Sequence, residues 1–108
     1  MKRSVYEMPL RTNNTNEVLW IIENKMSAAG FAKKMINGEI VWSKGDGVIM
    51  QTQCIGIYFT NGSIMFQGWT IDFILGEADL DGYVGCIIKK KMKRLIQDIM
   101  NEIAARGL

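Results

Sequence analysis

Two oppositely charged stretches sit side by side late in this 108-residue chain, and they are its most reactive-looking features. Lys89, Lys90, Lys91, Lys93 and Arg94 crowd five cations into the opening of an amphipathic, helix-like segment. Cations there oppose the helix macrodipole, at roughly 0.3–1 kcal/mol each when poorly screened. A counter-charge is needed. One source is internal, since residues 45–88 carry five acids and no lysine or arginine. The other is an anionic surface or acidic partner docking on the cluster.

The upstream run Glu77-Ala78-Asp79-Leu80-Asp81-Gly82 alternates carboxylates and ends in glycine, like the first half of an EF-hand loop. The position that should supply a bidentate glutamate is Ile88, and the residues before the loop read as strand. A solvated acidic turn explains the run, so no metal and no other cofactor is expected. Catalytic chemistry has little to work with. There is no histidine, which removes the commonest general base and metal ligand. Cys54 and Cys86 lie too far apart for a CxxC pair. Cys54, beside Ile55 and Ile57, reads as a buried structural thiol, and Cys86 adjoins the lysines without an identifiable base. Asp46, between Gly45 and Gly47, reads as turn chemistry. No phosphate-binding glycine motif is present. The chain is expected not to be an enzyme, with no catalytic residues.

Composition sets the frame for these residues. With 48% apolar and 22% charged residues the chain is globular, and its length suits a single domain over residues 1–108. A net charge of +2 is too small to argue for nucleic acid, and none is expected. No apolar run is long enough for a signal peptide or a membrane span. A cytoplasmic location with reduced thiols is the expectation.

The elements follow from periodicity. Residues 4–10 read as a strand that Pro9 ends or marks as an edge. Asn14 begins a helix over 15–29, with Glu17 in capping-box position, although Thr15 or Asn16 could cap instead. Val18, Ile22 and Met26 form its apolar stripe, and Gly30 followed by Phe31 fits a Schellman ending. Asn37-Gly38 is a hairpin signal between 33–36 and 39–43. Asn61-Gly62 is a second, between 54–60 and 63–73. A two-residue loop there sets Phe59 opposite Ile64, Ile57 opposite Phe66 and Ile55 opposite Gly68, on one face. Residues 76–86 read as a loop with a short strand at most. Ile88, Met92, Leu95, Ile99 and Ile103 mark a final helix ending near Arg106, with Glu102 and Arg106 spaced to pair. The expected fold is α+β, an antiparallel sheet of four to five strands with two helices on one face, in the order β-α-β-β-β-α.

Val41-Trp42-Ser43-Lys44-Gly45-Asp46-Gly47 resembles a Val-Trp-x-Lys-Gly-Asp-Gly signature found in a domain family of Gram-positive bacteria. In that family a hairpin ending in tryptophan follows, as Gly68-Trp69 does here. Then comes a stretch resembling Leu80-Asp81-Gly82-Tyr83-Val84-Gly85, and a lysine run opening the last helix. The likeness covers roughly residues 35–100. Members place a proline ahead of the lysines, where this chain has Ile87-Ile88. The resemblance implies a genuine domain and brings no activity.

The functional expectation is therefore an interaction or regulatory module that binds a protein partner or self-associates. Its contact residues would be Tyr58, Met65 and Trp69, which share the sheet face turned away from the helices. The lysine cluster would be a second contact. An alternative is a small apolar ligand held between sheet and helices, with Met35, Met50, Met65, Met92 and Met100 lining an adaptable cavity.

Overall fold

Both Asn-Gly pairs make two-residue hairpin turns, by different means. The computed structural model of the protein describes residues 2–47, 50–72, 74, 76–82 and 85–108. Strands β2 (Ala32–Ile36) and β3 (Glu39–Lys44) are joined by Asn37 at φ 51° and Gly38 at φ 79°. Two positive φ values are the mark of a type I′ turn. Strands β4 (Thr52–Thr60) and β5 (Ser63–Asp72) join through Asn61-Gly62, where only Gly62 has positive φ. That is the sign pattern of a type II turn. The register is nevertheless the expected one: Phe59 faces Ile64, Ile57 faces Phe66 and Ile55 faces Gly68.

With β1 (Ser4–Pro9) and β6 (Gly76–Ala78), the sheet is wholly antiparallel in the order β1-β5-β4-β3-β2. β1 and β6 lie end to end along the same side of β5: Ser4 pairs with Gly68, and Ala78 with Thr70. The chain order is thus β-α-β-β-β-β-β-α: the five longer strands are those read from the sequence, while the expected order counted one fewer and lacked β6. β6 is only three residues long and carries no alternation from which to read it. Phe73, assigned from sequence to the end of the fifth strand, lies outside the described residues, as do Tyr83 and Val84.

The helices are α1 (Thr15–Ala28) and α2 (Cys86–Ala105). Asn14 caps α1, its side-chain oxygen accepting from the Asn16 N–H at 3.1 Å. Glu17 does not complete a capping box; it pairs with Arg106 instead. At the other end Phe31 N–H donates to Met26 C=O and Gly30 N–H to Ser27 C=O. These are the two bonds of a Schellman motif, with Gly30 at φ 87°. Both helices cover one face of the sheet. Val18, Ile21, Ile22 and Met26 of α1 and Met92, Ile96, Ile99 and Ile103 of α2 bury against Trp42, Ile55, Ile64 and Phe66. The carbonyl of Leu108 accepts from the N–H groups of Arg11 and Thr12, tying the end of α2 to the loop before α1.

The stripe that α2 buries is 89-92-96-99-103. Lys89 and Ile96 take the buried places expected for Ile88 and Leu95, which are only half-buried. Helix geometry allows either row, and the sheet selects this one because Gly68 leaves room for Ile96 and for Leu80. Replacing Gly30 by alanine should cost about 1–2 kcal/mol, since its left-handed backbone disfavours any Cβ. Urea denaturation checks this, and an unchanged midpoint would show that the helix ending tolerates a different backbone.

Candidate functional site

The face away from the helices was expected to expose Tyr58, Met65 and Trp69, and Arg3 closes its centre. Arg3 immediately precedes β1, so the pairing of Ser4 with Gly68 places it across from Trp69. Its guanidinium stacks 3.6 Å from the Trp69 ring centroid. All five N–H donors are used. Nε and Nη2 bond Glu77 of β6 at 3.1 and 3.2 Å, Nη1 and Nη2 bond Glu39 of β3 at 3.0 and 2.9 Å, and Nη1 also bonds Gln67 at 3.0 Å. Hydrogen bonds donated to Glu39 and then to Glu77 hold the guanidinium pKa further above its ordinary value.

Trp69 is consequently buried to 1% exposure and offers no surface. Its indole N–H finds no acceptor among the described residues, so the π face is what holds it. Tyr58 and Met65 are half-buried, with the Tyr58 ring lying back over Gly56. Beneath the clamp Val41, Cys54 and Trp69 form a second small core. Burial pushes the Cys54 thiol pKa up to about 11, which fits a structural thiol. Sequence reasoning missed Arg3, Glu39 and Glu77. The signal was present only as a cation in phase with Val5, and reading it required knowing that β1 pairs with β5.

The basic cluster disperses. Lys89 was expected to meet an anion, but it lies on the core-facing stripe and is 2% exposed. Its ammonium reaches the backbone of the acidic loop at Gly82. Lys93 Nζ pairs with Asp81 Oδ1 at 2.6 Å. Lys90, Lys91 and Arg94 are exposed. Arg94 and Lys93 share an open groove with Asp79, Asp81 and Asp98, so an approaching anion meets carboxylates of its own sign. The internal counter-charge is therefore realised in part, by Asp81.

The three loop carboxylates turn to different partners: Glu77 to Arg3, Asp81 to Lys93, and Asp79 to the Asp81 N–H. Among the described residues no metal-binding group of three or more His, Cys, Asp or Glu side chains gathers. The Trp-Ser-Lys-Gly-Asp-Gly segment also has structural work. Trp42 joins the main core, Lys44 Nζ donates to the Ala29 carbonyl at the end of α1, and Asp46 accepts from the Met50 N–H. The five methionines do not line one cavity, although Met50 and Met92 share a cleft of about 280 Å³ beside Phe31. Met35 is exposed at the sheet edge, Met65 lies on the opposite face and Met92 is in the core.

What remains open is the corner where α1 ends its cover of the sheet. A groove of about 370 Å³ runs between α1 and strands β3 and β4, lined by Leu19, Ile22, Ile40, Trp42, Ile57 and Phe59. Beside it Met35 pairs with Ile40 across β2 and β3, and the two are 65% and 64% exposed. Leu19 and Phe59 extend the same apolar surface. No family model, curated protein or solved structure matches the chain. No helix among the described residues is long and apolar enough to cross a membrane.

Two outcomes test the polar contacts. Arg3→Ala leaves Glu39 and Glu77 facing each other over an uncovered indole, at an expected cost of about 2–4 kcal/mol. Arg3→Lys should recover only part of it, because an ammonium lacks the planar fork. Urea midpoints measure both, and a loss under about 0.5 kcal/mol, the range of ordinary surface changes, would remove the clamp from its central place.

Hydrogen bonding to Lys93 holds the Asp81 carboxyl below its usual range, and the same bond raises Lys93. The pair's stabilisation is present above the unfolded carboxyl pKa and lost as pH falls through the lowered folded value. It fades again at the alkaline end as Lys93 deprotonates. An NMR titration of Asp81 should show its midpoint rising in Lys93→Gln; an unmoved midpoint would mean the pair does not form in solution.

Proposed function

We propose that this chain is a non-enzymatic interaction module that takes a protein partner at the apolar corner beside β2. The observation that carries this reading is the Met35–Ile40 pair, about two-thirds exposed and continuous with the groove under Leu19 and Phe59. The Trp69 face is occupied by Arg3, and the lysine cluster is divided between core, ion pair and solvent. The resemblance to the Gram-positive family, over roughly residues 35–100, adds no activity to this proposal.

The groove volume favours a second reading, a small apolar ligand, since such sites start at roughly 300 Å³. Ligand pockets enclose most of what they bind, whereas Leu19, Ile40 and Phe59 stand 42%, 64% and 40% exposed. That geometry suits a protein surface better.

A photo-crosslinking residue placed at position 40 should capture a defined partner in native lysate. One placed at the exposed Ile87, on α2, should not. Met35→Asp should lower capture about tenfold or more, as loss of a contact hot spot does. Stability should stay within about 0.5 kcal/mol of wild type, because Met35 is exposed. Equal capture at positions 40 and 87 would sink the proposal.

A further inference from the structure

We infer that the occupant of the open corner is an extended acidic segment of another protein, added to the sheet as a further strand beside β2. This inference rests on the interaction-module reading and names the chemistry of the partner.

Of the sheet's two outer strands, β2 suits this better. At the β1 edge Pro9 ends the strand without an N–H to offer, and the exposed Glu7 repels an acidic guest. β2 ends the strand order on the other side, and four of its five residues are exposed. Its outward backbone N–H and C=O groups have no strand to pair with, which is the template for strand addition.

Alternation along β2 specifies the guest. Lys33 and Met35 point to the helix-covered side, where Met35 meets Ile40 and Lys33 lies 5.5 Å from the Trp42 ring. Lys34 and Ile36 point to the other side, Ile36 packing on the Val41–Cys54–Trp69 core. A strand laid beside β2 therefore sets one row of side chains over the apolar corner and the other row beside Lys34. Apolar residues fit the first row. Acidic residues fit the second, because Lys34 makes no ion pair among the described residues and Glu39 of β3 is already held by Arg3. On the helix side Glu23 and Lys33 both line the groove and offset each other, and the apolar residues between them favour an apolar row.

A second copy fits less well. Antiparallel pairing of β2 with itself over its full five residues is centred on Lys34 and opposes that lysine to its own copy. Like charges directly opposite are destabilising, and lysines on an edge are a common guard against self-pairing.

The probe is a capped synthetic peptide, Val-Glu-Val-Glu-Val, compared with Val-Lys-Val-Lys-Val, added to the whole chain. The acidic peptide should slow hydrogen exchange of the outward β2 amides about tenfold or more while leaving β4 and β5 unchanged. Lys34→Glu should weaken it about tenfold and reverse the preference toward the lysine peptide. Unchanged β4 and β5 exchange in that variant shows that its fold is intact. Equal protection by both wild-type titrations overturns charge selection, and with it the inference. Protection that appears without peptide and grows with protein concentration identifies a second copy and overturns it too. If neither peptide protects β2 but the crosslink at position 40 persists, strand addition fails and the interaction reading stands. Loss of both removes both.

Discussion

Arg3 is the constraint on which the non-helical face depends. A sheet of this size with both helices on one side leaves the other side wet, and the side chains there must cover themselves. One guanidinium does this by lying flat on Trp69 while its donors reach β3, β5 and β6. Placing the charge over the ring lets Trp69, Cys54 and Val41 behave as core without a third layer. The clamp is balanced by hydrogen bonds more than by charge, since two carboxylates meet one cation. That balance explains why the face is closed to anions even though an arginine sits at its middle.

The same economy runs through the segments that looked functional. Lys44 and Asp46 belong to a motif that invites a catalytic reading, yet one caps a helix end and the other closes a turn. Lys89 lies in a run of cations and is the first residue of the α2 core stripe. Its aliphatic stem packs while its charge reaches the acidic loop, which is how a cation near a helix N-terminus finds compensation inside the molecule. Chemistry-bearing residue types are abundant here, and most are consumed in holding the fold.

Local chemistry was legible in the sequence. Asn14, Gly30 and Phe31 marked the ends of α1 correctly, and the Asn61-Gly62 turn led to the true register of β4 and β5. Such features depend on neighbours a few positions apart. Long-range pairings were not legible: no turn dictates that β1 joins β5, so the apposition of Arg3 and Trp69 stayed hidden. For the same reason Trp69 was placed on the right face with the wrong exposure, while Tyr58 and Met65 are half-buried there. The open corner escaped notice because exposure of Met35 and Ile40 depends on where α1 stops covering the sheet. Neither residue carries that information in its own neighbourhood.

The separation of Arg3 from Glu77 by 74 positions also has a consequence in time. Synthesis delivers Arg3 well before β5 and β6, so the strand that follows it has no edge to join until most of the chain exists. The β2–β3 hairpin and α1 can form from near neighbours, whereas β1 must be recruited late and against a larger loop entropy. The residue that closes the sheet is made among the first and docks among the last. Until then the indole beneath it is bare, and the longest strand of the sheet, β5, stands as its edge.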